Sequence, residues 1–363
     1  LATAIANANP EITRTIKEWL RKPGNTLTSP LEKNEELKSI LLQLTPWVRE
    51  AQNETGQMHL LGELLDINRQ NYIRKQALTQ LARLQNSDGG WSWVKGSKSN
   101  TFITENVLEA MARLVRTGAT ELSQEEKTMQ IQALKYLDDQ IEREYSEKNE
   151  YGYSQLLYLY TRSSFRDIPL TNALEAHKHY LSKFKDSWAD LSLYEKALVA
   201  MTLYRYGETE TAKRILHSLK EYATITPEMG MFWANNRSNL FTNSAIQTQV
   251  ALMSAFHEIE GDSKDTELMK QWLLRQKQTQ NWGSTPTTVD AIYALVLTGK
   301  DQLSQQDHLA IKLGNKNINV TPEEAKLGYI KKSYTAKEIT SKMTKASITK
   351  TTDQASWGGL YLQ

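Results

Sequence analysis

The acids that come nearest to a recognisable constellation are Asp138, Asp139 and Glu142 in the stretch DDQIE, close to the Asp-Asp-x-x-Asp pattern that holds diphosphate through metal ions. That stretch lies inside a charge-rich amphipathic segment and is followed by Arg143, where solvated ion pairs on a helix are the ordinary explanation. The Asp-x-Asp-Asp cluster needed to protonate a polyene is absent. Six histidines remain. His177 and His179 are two apart and leave a helix on different sides, unlike the i, i+4 pair of a helical metal site. His59, His217, His257 and His308 stand singly, without the positioned partner that acid/base work needs. The chain has no cysteine, which removes disulfides, thiolate nucleophiles and Asp-Cys-His zinc sites together. No catalytic residue, metal or cofactor is expected.

A carbohydrate-active cleft would need aromatics beside paired carboxylates. Tyr151, Tyr153, Tyr158, Tyr160 and Trp233 could line one, and Glu105, Glu109, Glu195 and Asp290 are the acids on buried-type helices. Carboxylate separation cannot be read from a sequence, so this alternative stays open. Lysine plus arginine number 44 against 42 acids, a balance that points away from nucleic acid. There is no run of roughly 18 apolar residues, so no transmembrane segment is expected. Leu1 opens the chain without methionine or a signal segment, so a piece of a larger protein is expected.

The elements that must position these side chains are helical and repetitive. Val107, Leu108, Met111, Leu114 and Val115 recur at three- and four-residue steps. The pattern returns at Tyr153–Tyr160, Tyr194–Tyr204, Ile246–Met253 and Val289–Val296. Starts at Thr104, Gly152, Ser192, Ser244 and Thr287 are 40 to 52 residues apart, the length of a helical hairpin. Stretches 123–144, 209–220 and 264–277 are more charged and fit outer helices with one wet face. LATAIANAN, ending at Pro10, reads as the tail of a sixth inner helix. An open stack would need polar capping repeats, so the fold expected over 1–302 is a mainly α, closed α/α toroid of about six helical hairpins.

Outer helices run into turns with one interval used twice: Gln85 to Trp91 and Gln276 to Trp282, six residues each. Asp88, Gly89 and Gly90 in the first turn, and Gly283 in the second, allow close backbone approach while the indoles pack across neighbouring hairpins. Looser copies surround Trp188 and Trp233. Trp93 has no counterpart and is expected to be a partly exposed contact. After about residue 300 the pattern alternates. HLAIKLGNKNINV reads as two strands around Gly314-Asn315, and LGYIKKSYTA and KASITK are further candidates. Residues 303–363 are therefore expected to form a small, incomplete β segment.

LQNSDGGWSWVKG with FITENVLEAMARL, WGSTPTTVDAIYAL, TPWVREAQNETGQ and the ending ASWGGLYLQ, in this chain's order, resemble the thioester-containing domain and adjoining β segment of bacterial alpha-2-macroglobulin-like proteins. The resemblance covers nearly the whole chain. It implies a protease trap, in which a protease cuts a bait segment elsewhere and is entrapped. Partners would then be other domains of the same protein and target proteases, and the location periplasmic or cell envelope. Covalently acting members carry a Cys-x-Glu-Gln thioester at the start of the first inner helix. LATAIANAN resembles the end of that helix, which would put such a motif upstream of Leu1, so no site residue is carried over. Strands after the ring pair in that family with strands before it, so residues 303–363 are expected to be poorly ordered or paired with another chain. The toroid also serves terpenoid cyclases and polysaccharide-degrading enzymes, and a non-catalytic protein-binding ring is a further alternative.

Overall fold

The computed structural model describes residues 67–117, 122–147, 151–170, 172–234, 244–279, 285–298, 309–320, 330, 332, 334–335 and 337–350. Ten helices follow one another: α1 (Ile67–Leu84), α2 (Thr101–Arg116), α3 (Gln124–Glu147), α4 (Tyr153–Ser163), α5 (Leu174–Ser187), α6 (Leu193–Arg205), α7 (Thr209–Glu221), α8 (Ala245–Glu260), α9 (Lys264–Thr279) and α10 (Thr285–Thr298). The even-numbered helices pack consecutively, α2 on α4, α4 on α6, α6 on α8 and α8 on α10, and the odd-numbered helices lie outside them. Arg113 of α2 reaches Asp290 of α10 and lies over the Tyr293 ring, 4.8 Å from its centroid, so the first and last described inner helices meet. The described helices thus form a mainly α toroid of helical hairpins. Five pairs are described; LATAIANAN, like TPWVREAQNETGQ and ASWGGLYLQ, lies outside the described residues.

Sequence separates the two layers. Helix α6 buries every residue from Ala197 to Leu203, and α8 every residue from Thr248 to Phe256, as a helix packed on all sides must. Outer helix α7 buries only the stripe Thr211, Ala212, Ile215, Leu216 and Leu219. Starts of inner helices are fixed by side chains that accept otherwise orphaned N–H groups. Asn100 caps α2, and Ser192 and Ser244 close capping boxes with Glu195 and Gln247. The cap at Asn100 moves the start of α2 from the expected Thr104 to Thr101.

The corners at Trp91 and Trp233 share one device. The Trp91 indole N–H donates to the Leu81 carbonyl in the last turn of α1 at 2.9 Å, and that of Trp233 to Leu219 in the last turn of α7 at 2.8 Å. Gly89 and Gly230 take φ of 92° and 77°, and a Cβ on either would strike a backbone carbonyl of the following outer helix, Gln132 on α3 or Leu268 on α9. Gln85 Nε2 bridges Gly89 O and Met129 O at 2.8 and 3.0 Å. Gln249 Nε2 does the same for Met231 O and Met269 O at 2.9 and 3.5 Å. Each corner ties one outer helix to the next. The Trp233 corner is a β-hairpin, β1 (Thr224–Thr226) against β2 (Gly230–Phe232), where the sequence had suggested a plain turn. Gln276 sits in the last turn of α9; Trp282 and Gly283 lie outside the described residues, as does the boundary expected at 302–303.

By contact density, described residues from Gln76 onward through α10, β1 and β2 included, form one unit, while residues 67–75 and the strands after α10 belong to a second. In the latter, β3 (Leu309–Leu313) is central, antiparallel to β4 (Lys316–Ile318) and β5 (Ala346–Lys350). Gly314 supplies the positive φ of the β3–β4 turn, 58°. These strands pair within the chain, where the sequence had suggested a second chain or little order. The described residues of LGYIKKSYTA, namely Ile330, Lys332, Tyr334 and Thr335, are not in a strand.

Gly89 and Gly96 separate two causes of strain, because Gly96 also has positive φ (84°) but open space around it. Gly96→Ala should cost about 1 kcal/mol from φ alone, whereas Gly89→Ala should cost at least about 3 kcal/mol through the added clash. Urea denaturation of both variants measures this; equal losses would show that the carbonyl contact is not what requires the glycine.

Candidate functional site

The inner helices line a partly open cavity of about 520 Å³ with wall residues from all five of α2, α4, α6, α8 and α10. Its lining pairs charges across helices. Glu109 Oε1 accepts from Arg113 Nε and Arg116 Nη1, both at 3.2 Å, and from the Tyr160 hydroxyl of α4 at 3.1 Å. Arg113 also joins Asp290, and Gln247 Nε2 donates to the other Asp290 oxygen at 3.4 Å. Arg205 of α6 grips Glu258 of α8 with two bonds, at 2.6 and 2.7 Å, and donates to Ser163 and Ser164 at 3.0 and 3.1 Å. Its guanidinium lies 4.9 Å from the centre of the Tyr160 ring.

Burial pushes the Glu109 carboxyl up, but Arg116, Arg113 and Arg205 outweigh it and hold it below the usual carboxylate range. A glycosidase-type acid needs the opposite shift. Three carboxylates therefore face three guanidiniums around the axis, an arrangement that joins helices and leaves Glu109 ionised. What these groups can do chemically is bind and orient; proton donation by Glu109 is disfavoured.

Elsewhere the candidates scatter. Glu105 is buried on α2, where burial first and Glu144 second raise its carboxyl well above the ordinary range. Glu195 is spent in its capping box. Tyr160 reaches the cavity, but Tyr158 turns to Asp138, donating its hydroxyl at 2.8 Å. Trp233 is in its corner, and Tyr151 is exposed and edges onto Phe184. Trp188 begins a short 3-10 turn and is half-buried. Trp91 is buried, while Trp93, two residues on, is 70% exposed. Asp139 pairs with Lys135 on the surface, the expected solvated ion pair. Asp138 corrects that reading: it is buried against Arg162, Nε to Oδ1 3.2 Å, because it falls on the inward stripe of α3. Among the described residues no cluster of three or more His, Cys, Asp or Glu side chains could hold a metal ion.

His177 is buried with Nε2 2.9 Å from the Tyr206 hydroxyl; His179 packs beside Tyr145 and Tyr180. His257 is half-buried in the cavity wall, with Nδ1 3.0 Å from Asp262, while His217 is exposed beside Glu221. His59 and His308 lie outside the described residues. The lumen residues Arg113, Arg116, Arg205 and Glu258 were not anticipated. One signal existed: Glu109, Arg113 and Arg116 fall at helical spacing on a helix otherwise read as apolar.

No family model matches the chain, and no curated protein matches it either. Among the described residues no helix is long and apolar enough to cross a membrane.

Asp290→Ala leaves Arg113 half-buried without its partner on α10 and should lower stability by about 1–3 kcal/mol, read by urea denaturation. Burial, with Arg162 adding to it, lowers the His177 imidazole to about 4. An unfolded chain takes up that proton near 6.5, so His177 contributes stability above pH 6.5 that is lost as pH falls toward 4. His177→Gln should flatten the stability profile across that window; an unchanged slope would show that this imidazole does not contribute to it.

Proposed function

We propose that this chain is the toroid domain of a bacterial alpha-2-macroglobulin-like protease trap, exported to the periplasm or cell envelope, and that it is not itself an enzyme. The observation that carries the reading is what happens to the DGGW turn. Trp91 is a buried fastener tied to the preceding outer helix, which supports a structural role for the turn that carries the resemblance. The lumen supports the same reading, since its acids are matched by arginines and Glu109 is held ionised, which suits a scaffold better than hydrolysis. No cysteine lies in these residues, so the domain would present or shield an acyl group formed elsewhere, or serve a purely physical trap.

The test uses the full-length protein with a broad-specificity protease. Trapping predicts that cleavage of a large protein substrate falls at least about tenfold while cleavage of a small chromogenic peptide persists, because access and not the protease's active site is blocked. Equal cleavage of both substrates would count against the proposal. So would polysaccharide or isoprenoid-diphosphate turnover by the 363-residue chain that Asp290→Asn or Glu258→Gln abolishes.

A further inference from the structure

The loop from Ser92 to Asn100 holds two large apolar side chains in water: Trp93 is 70% exposed and Val94 66%. Phe102, in the first turn of α2, is also exposed and stacks on Trp93 with ring centroids 6.0 Å apart and planes 18° from parallel. Slack chain does not explain this display. Ser97 N–H and Ser92 Oγ both donate to Val94 O, at 3.0 and 2.8 Å, and Asn86 Nδ2 donates to Ser97 O at 3.0 Å. Asn100 N–H closes the loop on Trp91 O at 2.8 Å, and the Ser99 hydroxyl donates to Asp88 at 2.6 Å. The conformation is set before any partner arrives, so docking carries little ordering cost.

Charge and shape narrow the partner. From Ser92 to Thr104 the chain carries Lys95 and Lys98, both exposed, and no acid. Asp88, the nearest acid before them in sequence, is drawn back by Gly90 N–H and Ser99. A Cβ on Gly96 would meet nothing within 4 Å, so the tip projects outward there. Peptides are usually gripped by grooves or strand edges. A projecting tip of indole, isopropyl and phenyl groups flanked by ammonium groups matches a lipid interface instead, where indoles settle at headgroup level and lysines reach the phosphates.

We infer that the Trp93 tip docks this ring reversibly on an anionic phospholipid surface, with Trp93, Val94 and Phe102 entering the interfacial layer and Lys95 and Lys98 meeting its phosphates. The inference is independent of the protease-trap reading. One small tip makes the attachment weak and salt-sensitive.

The experiment is co-sedimentation of the 363-residue chain with vesicles of phosphatidylglycerol and phosphatidylethanolamine, against pure phosphatidylcholine vesicles. Expected are pelleting with the anionic vesicles, its decline in high salt, and a loss of roughly tenfold or more for the Trp93→Ser/Val94→Ser variant. Lys95→Gln/Lys98→Gln should weaken it less, and brominated lipid should quench tryptophan emission in the wild type more than in Trp93→Ser. Thermal unfolding checks that the variants remain folded, as substitution of such exposed side chains should allow. Absence of pelleting with anionic vesicles, equal binding to phosphatidylcholine, or binding unchanged in the double serine variant would overturn the inference. So would self-association of the wild type, seen by light scattering and abolished by Trp93→Ser, which would assign the tip to protein docking.

Discussion

The centre of the helical unit depends on one carboxylate. Glu109 is buried in the wall of a ring of helices, and an ion in that position is costly unless donors surround it. Its Oε1 takes three, two from its own helix and one from α4. Those donors are then committed: Arg113 is positioned to reach α10, and Arg116 extends toward Ser164 beyond α4. Arg205, whose charge helps hold Glu109 ionised, is fixed in turn by Glu258 on α8. A local demand for neutralisation thereby selects the arrangement of all five inner helices. A hydrophobic axis would have imposed no such orientation, because apolar contacts are not directional.

Axis and periphery solve different problems. Around the axis the helices are largely apolar and the charged groups are paired across them, although Glu109 Oε2 and the Thr202 and Thr248 hydroxyls are buried without a hydrogen-bond partner. At the edge the problem is the backbone, because every outer helix ends in carbonyls without partners in the next turn. The indoles of Trp91 and Trp233 each bring a second donor to a carbonyl of the last turn, Leu81 or Leu219, which also accepts from Gln85 N–H or Tyr222 N–H. The glycines let the turn settle onto the following helix, and the glutamines close the remaining gap. Indole, glycine and glutamine act together, which explains why they recur as a set even though Gln85 precedes its tryptophan and Gln249 follows.

Periodicity made the helical layers legible. Apolar residues at three- and four-residue steps, as over Tyr194–Tyr204, gave inner helices, and the starts expected at Ser192 and Ser244 fall on the N-cap residues, one before Leu193 and Ala245. The hairpin around Gly314 was equally local and equally readable. Hidden from the sequence were interactions between residues far apart in it. Arg205 and Glu258 are 53 positions apart, Arg113 and Asp290 177, and nothing local says that they share a cavity. Asp138 and Asp139 show the same limit at close range. They are neighbours in a charged run, yet a turn of 100° per residue sends one to Lys135 in solvent and the other to Arg162 in the core.

Trp91 and Trp93 diverge in the same way within a loop. In extended chain, residues two apart share a side, so two tryptophans in WSW would ordinarily be buried or exposed together. They are not, because the chain bends from Trp93 onward, where Val94 O accepts from Ser92 Oγ and Ser97 N–H. Trp91 is held from its backbone as well as its ring, by N–H to Thr104 Oγ1 at 2.9 Å and carbonyl to Asn100 N–H, while Trp93 is turned away and braced only by Phe102. A fold that already has one indole sealing this corner gains no packing from a second. The hydrogen bonds of this loop fix its backbone while leaving the Trp93 indole in water, so they order the tip without adding that indole to the core.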